Sequence, residues 1–456
     1  MTSRRAAPGA PATFCLVALG CPKARVEAET TLARLVRAGM RLVDDPAGAD
    51  VAVVHTCGFV GEATRESLGV LDELAGLRAA GRLRRLVAVG CLPQRYGDAI
   101  SRAAPGIDAW VGVNDLGRIV DAVRGRARSL LRADPDPREL AALPSLPSGR
   151  PHTRYLRVAE GCSRRCAFCA IPAIRGKARS RPLDAVVAEA EALADQGAVE
   201  LVLVAQDLGR YGVDAPGERP GRPLLRLLER LARVDGVRWL RLLYLYPDAV
   251  SREFLDGIAG IAKVVPYLDI PMQHSADRVL RLMRRGTSRG DLDALVDRVR
   301  TVLPDATLRS TFIVGHPGET ESDFRDLVRF VRRSTIDRIG LFRYSDEEGT
   351  ASFGMRDKVP AAVSYRRFRT LRAISRRLMR ERQKVLRGRV VEVLVDGPAE
   401  ETPLLATGRT AAQAPEIDGI TYLLNGVPPA GSFVAARITR TSDSDLVADL
   451  GWLSPS

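Results

Sequence analysis

Short apolar runs alternate with helical periodicity over residues 12–125. TFCLVALG is followed by a helix from about Lys23, VAVVHT by one from about Glu62, and RLVAVG by one from about Pro93. Buried strands alternating with amphipathic helices predict a small parallel α/β sheet. Pro135, Pro137, Pro144, Pro147 and Pro151 then give residues 131–152 the composition of a linker. The alternation resumes at TRYLRVAEGC, with strands expected at 154–159, 199–206, 238–244, 266–271, 307–314 and 338–343. Six βα units exceed a mononucleotide-binding half and fit an open, partial (βα)6 barrel of TIM-like build, whose chemistry gathers at the C-terminal strand ends. Residues 364–384 read as one basic helix. Phe368, Leu371, Ile374 and Leu378 trace its apolar stripe and arginines fill the rest, either as a solvated linker or as an RNA contact. After Leu386 come short β runs, RVVEVLVDG, TYLLNG and SFVAARITR, punctuated by Gly and Pro, which predict a small β-barrel. The expected organisation is therefore an N-terminal domain at 12–130, a linker at 131–152, a central domain at 153–363, a connecting helix at 364–385 and a terminal barrel at 386–456.

Composition narrows the class. The chain has 456 residues, 46% hydrophobic and 27% charged, which fits two to three globular domains and excludes disorder throughout. No stretch of about 18 apolar residues occurs, so no membrane-spanning helix is expected. Lys and Arg outnumber Asp and Glu by 69 to 55, a net +14, which points towards an acidic partner such as RNA. Arg4, Arg5, the run Phe14–Leu19 and Gly20-Cys21 loosely imitate a lipoprotein signal. That run is too short, and Cys15 interrupts it, so a cytoplasmic chain is expected. There the seven cysteines suit metal binding or catalysis better than disulfides.

The sharpest motif is EGCSRRCAFC, which places Cys162, Cys166 and Cys169 as C-x3-C-x2-C just past the first strand of the central region. Three thiolates in one loop can hold three irons of a [4Fe-4S] cluster and leave the fourth open. Structural zinc wants four ligands, and nearby only His152 could join, while buried cysteines used as small hydrophobes suit a polar, Arg-flanked loop poorly. Cys21, Cys57 and Cys91 each follow an expected strand, in ALGCPK, VVHTCGF and AVGCLP. In a parallel sheet those strand ends converge, so a second three-cysteine cluster is expected there. Cys15 lies within a strand and is assigned to the core.

C-x3-C-x2-C with an aromatic, Phe168, before the last cysteine resembles the signature of radical S-adenosylmethionine enzymes. Two three-cysteine sites followed by a terminal barrel like the TRAM domain resemble the methylthiotransferases of that superfamily over nearly the whole chain. AQDLGRYGVD (205–214), LYLYP (243–247), LDIPMQH (268–274) and TFIVGHPGET (311–320) match as well. The resemblance implies two [4Fe-4S] clusters and S-adenosylmethionine as both radical source and methyl donor. It also implies a transferase that replaces C–H by C–S–CH3 and an electron donor such as a flavodoxin or ferredoxin. Phe168, Gln206, Gly315 and Gly318 are the expected cofactor contacts, although the two glycines equally suit an ordinary βα turn. His274 reads equally as a core or a site residue. Arg175, Lys177 and Arg179 offset the cluster's charge, bind the cofactor, or are solvated. No residue is singled out for proton transfer.

Such enzymes divide between a tRNA adenosine (the MiaB type) and an aspartate of the twelfth small-subunit ribosomal protein (the RimO type). Residues 386–456 hold five basic and nine acidic residues, a net −4, leaving +18 on the rest of the chain. A barrel gripping tRNA phosphates should be basic, whereas an acidic one suits a basic ribosomal protein or particle. GCPK, AIPAIRGKARSRP (170–182) and AQAPEIDG (412–419) also resemble the ribosomal-protein type. Ala24, Glu27-Ala28 and His55 depart from the residues usual around the N-terminal cysteines. The basic helix keeps contact with ribosomal RNA in view.

Overall fold

A computed structural model describes residues 12–141, 146 and 148–451. The expected terminal-barrel residues 452–456 and the linker residues 142–145 and 147 lie outside the described residues. Contacts divide the chain into two compact units that do not follow chain order. One gathers the chain through Ser148 with Ala159–Ala185 and Ser345–Phe353. The other holds Gly149–Val158, Val186–Tyr344 and the chain from Gly354.

The first unit contains a sheet of β1 (Thr13–Ala18), β2 (Arg41–Leu42), β3 (Val51–Thr56), β4 (Arg85–Gly90), β5 (Ala109–Gly112) and β6 (Ser129–Leu130). Their order is β2-β1-β3-β4-β5-β6, parallel throughout. Both faces are covered, which is why β3 and β4 read as unbroken apolar runs. Phe14, Val53, Val87 and Val111 pack on one side, and Cys15, Val54, Ala88 and Trp110 on the other. Cys15 is thus a core residue, and burial pushes its thiol up to about 11. The helices Pro22–Arg37, Gly61–Ala79 and Cys91–Ala103 start within two residues of the expected places. The sequence pattern names only β1, β3 and β4, because β2 and β6 have two residues and β5 four, too few to carry a clear pattern.

In the second unit, strands Thr153–Arg157, Glu200–Val204, Trp239–Leu242, Val264–Asp269, Thr307–Val314 and Arg338–Arg343 lie side by side in chain order, all parallel, as an open sheet. Capping boxes start two of its helices, Ser288 with Asp291 and Thr320 with Asp323. The basic helix runs Ala361–Lys384 and packs on the last strand. Its buried face is Ser364, Arg367, Leu371, Ser375 and Gln383, which corrects the expectation of an all-apolar stripe. Arg367 turns inward because it meets the Glu319 carboxylate at 3.3 Å. The terminal strands Val390–Pro398, Ala406–Arg409, Thr421–Leu424, Leu446–Asp449 and Phe433–Thr441 close into a barrel around Val393, Val395, Leu423 and Ile438.

That barrel is fastened to the open sheet by a buried ionic chain. Glu200, on the second strand, accepts from Arg241 and from Arg409 of the barrel, each at 2.7 Å. Arg409 also donates to Asp396, which is bonded to His152 and paired with Arg150. Among the described residues no helix is long and apolar enough to cross a membrane.

Candidate iron–sulfur site

Three neighbouring parallel strands, β1, β3 and β4, end on the same edge of the first unit's sheet, and a cysteine follows each. Cys21 is the N-cap of helix Pro22–Arg37 and exposed, Cys57 follows β3 half-buried, and Cys91 opens helix Cys91–Ala103 buried. Gly58 lets the Cys57 loop lie on the Cys91 turn, since a Cβ there would stand 2.7 Å from Leu92 Cα and 3.0 Å from the Cys91 carbonyl oxygen. The Cys57 amide donates to Ser67 Oγ, whose hydroxyl returns a bond to the Cys57 carbonyl. The three thiols feel one another. Burial pushes Cys91 up to about 12, Arg175 opposes the rise, and Glu27, Cys57 and Cys21 add to it.

The C-x3-C-x2-C loop belongs to the same unit. It is closed at its base by strand Ala159–Glu160 pairing antiparallel with Arg179–Ser180. Inside it the Cys162 amide donates to Gly176 O at 3.0 Å, and the Cys169 amide to Cys166 O at 3.2 Å. Burial raises the Cys169 thiol to about 12, with Cys166 and Cys162 contributing. Phe168 is half-buried beside it. Among the described residues no group of His, Cys, Asp and Glu side chains stands as a site for one metal ion would need. What each triad offers is three thiols. The donor set nonetheless fits iron–sulfur clusters, because cations accompany it, Arg175 buried and Lys23 half-buried. Lys23 interacts with Cys21, Cys162 and Glu160, and Arg175 donates to Cys91 Sγ at 3.2 Å. Thiolate-ligated clusters are anionic, and such cations offset that charge.

The sequence marks Glu27 only as a departure from the usual residue and does not single out Glu160; both bind Arg175, at 2.5 and 3.0 Å. One signal was available, an acid at position 27 on a helix face that is otherwise turned inward. Of the three basic residues after the loop only Arg175 is buried, while Lys177 and Arg179 are exposed.

The remaining expected residues belong to the second unit. Gln206 follows strand Glu200–Val204, half-buried. Gly315 and Gly318 have φ of 82° and 81°, the left-handed conformation that favours glycine. The space beside Gly315 is filled by Ser364 of the basic helix, and a Cβ on Gly318 would meet Leu282 at 2.9 Å. Packing thus requires both glycines, whatever ligand approaches. Glu319 accepts the Gly315 amide, and burial raises its carboxyl to about 7 against the pull of Arg367. His274 is fully buried, with Nδ1 accepting from the Ala276 amide at 3.0 Å and Nε2 buried without a hydrogen-bond partner among the described residues, so only half of the ring's polar capacity is met.

The family described as the Radical SAM superfamily matches residues 156–331, the uncharacterized protein family UPF0004 matches 13–112, and the TRAM domain matches 388–450. The chain is 48% identical over 441 residues to the ribosomal protein uS12 methylthiotransferase RimO of Anaeromyxobacter sp. (strain K), covering 96% of this chain and 93% of that one. The protein of the same name from Sorangium cellulosum (strain So ce56) is 44% identical over 445 residues, covering 95% and 90%. Among solved structures, the radical S-adenosylmethionine methyltransferase TsrM from Kitasatospora setae, bound to tryptophan and a cofactor analogue, aligns with a TM-score of 0.55. Identity is 19%, over 72% of each chain, so that likeness speaks for the fold alone.

Proposed function

Since the chain belongs to the RimO family of ribosomal protein uS12 methylthiotransferases, we propose that it places a methylthio group on the β-carbon of an aspartate in that protein. The family is a radical S-adenosylmethionine family, which implies a [4Fe-4S] cluster and that cofactor. Our reading goes further, to two clusters. Cys162, Cys166 and Cys169 hold the one that engages S-adenosylmethionine, and Cys21, Cys57 and Cys91 hold a second. When bound, these groups supply a low-potential electron, a hydrogen-abstracting radical, sulfur and a methyl group.

The protein's own residues do the rest. Each triad supplies three thiolates, so one iron of each cluster stays open to an exchangeable ligand. Lys23, half-buried, and Arg175, buried, balance thiolate charge. Phe168, Gln206, Gly315 and Gly318 are proposed to face S-adenosylmethionine. The basic helix, with Arg366, Arg369, Arg377 and Arg380 exposed, suits ribosomal RNA beside the substrate. A flavodoxin- or ferredoxin-like donor and a cytoplasmic setting complete the reading, with the expected domain limits of 12–130, 153–363 and 386–456.

The supporting observation is that all six cysteines fall in one compact unit, with the three strand-end thiols in electrostatic contact. Replacing Cys162, Cys166 and Cys169 by Ala should abolish reductive cleavage of S-adenosylmethionine. Replacing Cys21, Cys57 and Cys91 should keep that cleavage, halve the bound iron and stop methylthiolation. Full iron content in the second variant would contradict the two-cluster reading.

A further inference from the structure

Arg175 stands at the junction of the two cysteine triads. It ends the short helix Ile171–Arg175 that follows the C-x3-C-x2-C loop, and Ala170 and Ile174 beside it pack against Cys91. Its side chain is 2% exposed, and those of its partners Glu27 and Glu160 are 1% and 3% exposed. Nη1 serves both carboxylates, and Nη2 is left to donate to Cys91 Sγ at 3.2 Å. A buried ion cluster is weak support for stability, because desolvation offsets most of its attraction. Its geometry gives it a more specific use. One guanidinium contributed by the radical-generating loop is aimed at a sulfur of the other triad.

We propose that Arg175 is a positioning residue for the N-terminal cluster, holding Cys91 through an N–H···S bond and raising that cluster's reduction potential, with Glu27 tempering the effect. This rests on the reading that Cys21, Cys57 and Cys91 bind a cluster. Hydrogen bonds to the sulfurs and local net charge are principal determinants of such potentials. A donor and a positive charge stabilise the more negative, reduced cluster, so losing Arg175 lowers the potential. Losing the Glu27 charge leaves Arg175 less neutralised and raises it. The two substitutions therefore act in opposite directions, which a merely structural contact would not produce.

The test uses the full chain with Cys162, Cys166 and Cys169 replaced by Ala, so that only the N-terminal cluster remains. After anaerobic reconstitution, iron and sulfide are quantified, and the potential is followed by electron paramagnetic resonance during redox titration. The expected result is a more negative potential in Arg175→Gln, a smaller shift of the same sign in Arg175→Lys, and a more positive potential in Glu27→Gln. If Arg175→Gln fails to retain iron, Arg175→Lys and Glu27→Gln carry the same comparison. Unchanged potentials, or shifts of one sign in the arginine and glutamate variants, would overturn the proposal. Absence of iron from the starting variant would instead overturn the N-terminal cluster itself.

Discussion

His274 and Cys91 meet one constraint, since a side chain held away from water resists becoming charged. For His274, burial lowers the pKa to about 3, with Asp323 and Asp326 opposing the fall. The unfolded chain takes up this proton below about pH 6.5, whereas the folded protein resists until about pH 3. His274 therefore favours the fold above pH 6.5, and that contribution is lost as pH falls towards 3. His274→Asn should show a shallower loss of melting temperature between pH 7.5 and 5 than the parent protein in scanning calorimetry. An identical slope would place the acid sensitivity elsewhere. The placement of Cys21, Cys57 and Cys91 after strands was legible because apolar runs announce the strand ends. Arg175 was not, since nothing in IRGKAR distinguishes a buried arginine from the exposed Lys177 and Arg179 two and four residues on.

At the scale of elements, strand ends bring distant residues together. β1, β3 and β4 were readable as apolar runs, and their adjacency places Cys21, Cys57 and Cys91 on one edge. The approach of the Cys57 loop to the Cys91 turn depends on Gly58, where a methyl would strike the backbone of Leu92. Gly58→Ala should cost about 1–3 kcal/mol through overpacking. It should also lower iron at the N-terminal triad while the C-x3-C-x2-C loop keeps its share, as read by iron analysis and cofactor cleavage. Full iron content would show that the two loops can separate without loss. The basic helix was placed to within three residues at its start, but its inward face was misread. An arginine at position 367 gives no sign of an acid on another element, and Glu319 lies 48 residues earlier, on a turn.

At the scale of the molecule, several acids of the terminal barrel are engaged within its own unit. Asp396 is buried against Arg409 and His152, Asp418 accepts from Tyr267, and Glu392 and Asp443 pair with Arg238 and Arg376. These contacts help bind the barrel within its own unit, while Glu392, Glu400, Glu401 and Glu416 remain exposed. Burial alone would raise the Asp396 carboxyl, but the His152 hydrogen bond and the Arg409 and Arg150 charges bring it down to about 2. Its stabilisation is therefore present above about pH 4 and fades as pH falls through 2. Asp396→Asn, which leaves Arg409 less compensated, should destabilise by about 3–5 kcal/mol in thermal unfolding at pH 7, and a change near zero would deny the network that role. The central claim concerns chemistry, and one measurement reaches it most directly. Anaerobically reconstituted enzyme is supplied with S-adenosylmethionine, sulfide and dithionite, then offered ribosomal protein uS12 and unmodified tRNA side by side, each product being read by mass spectrometry. A methylthio group on an aspartate of uS12, with the tRNA unchanged, is the predicted result. The same group on a tRNA adenosine, with uS12 unchanged, would contradict it.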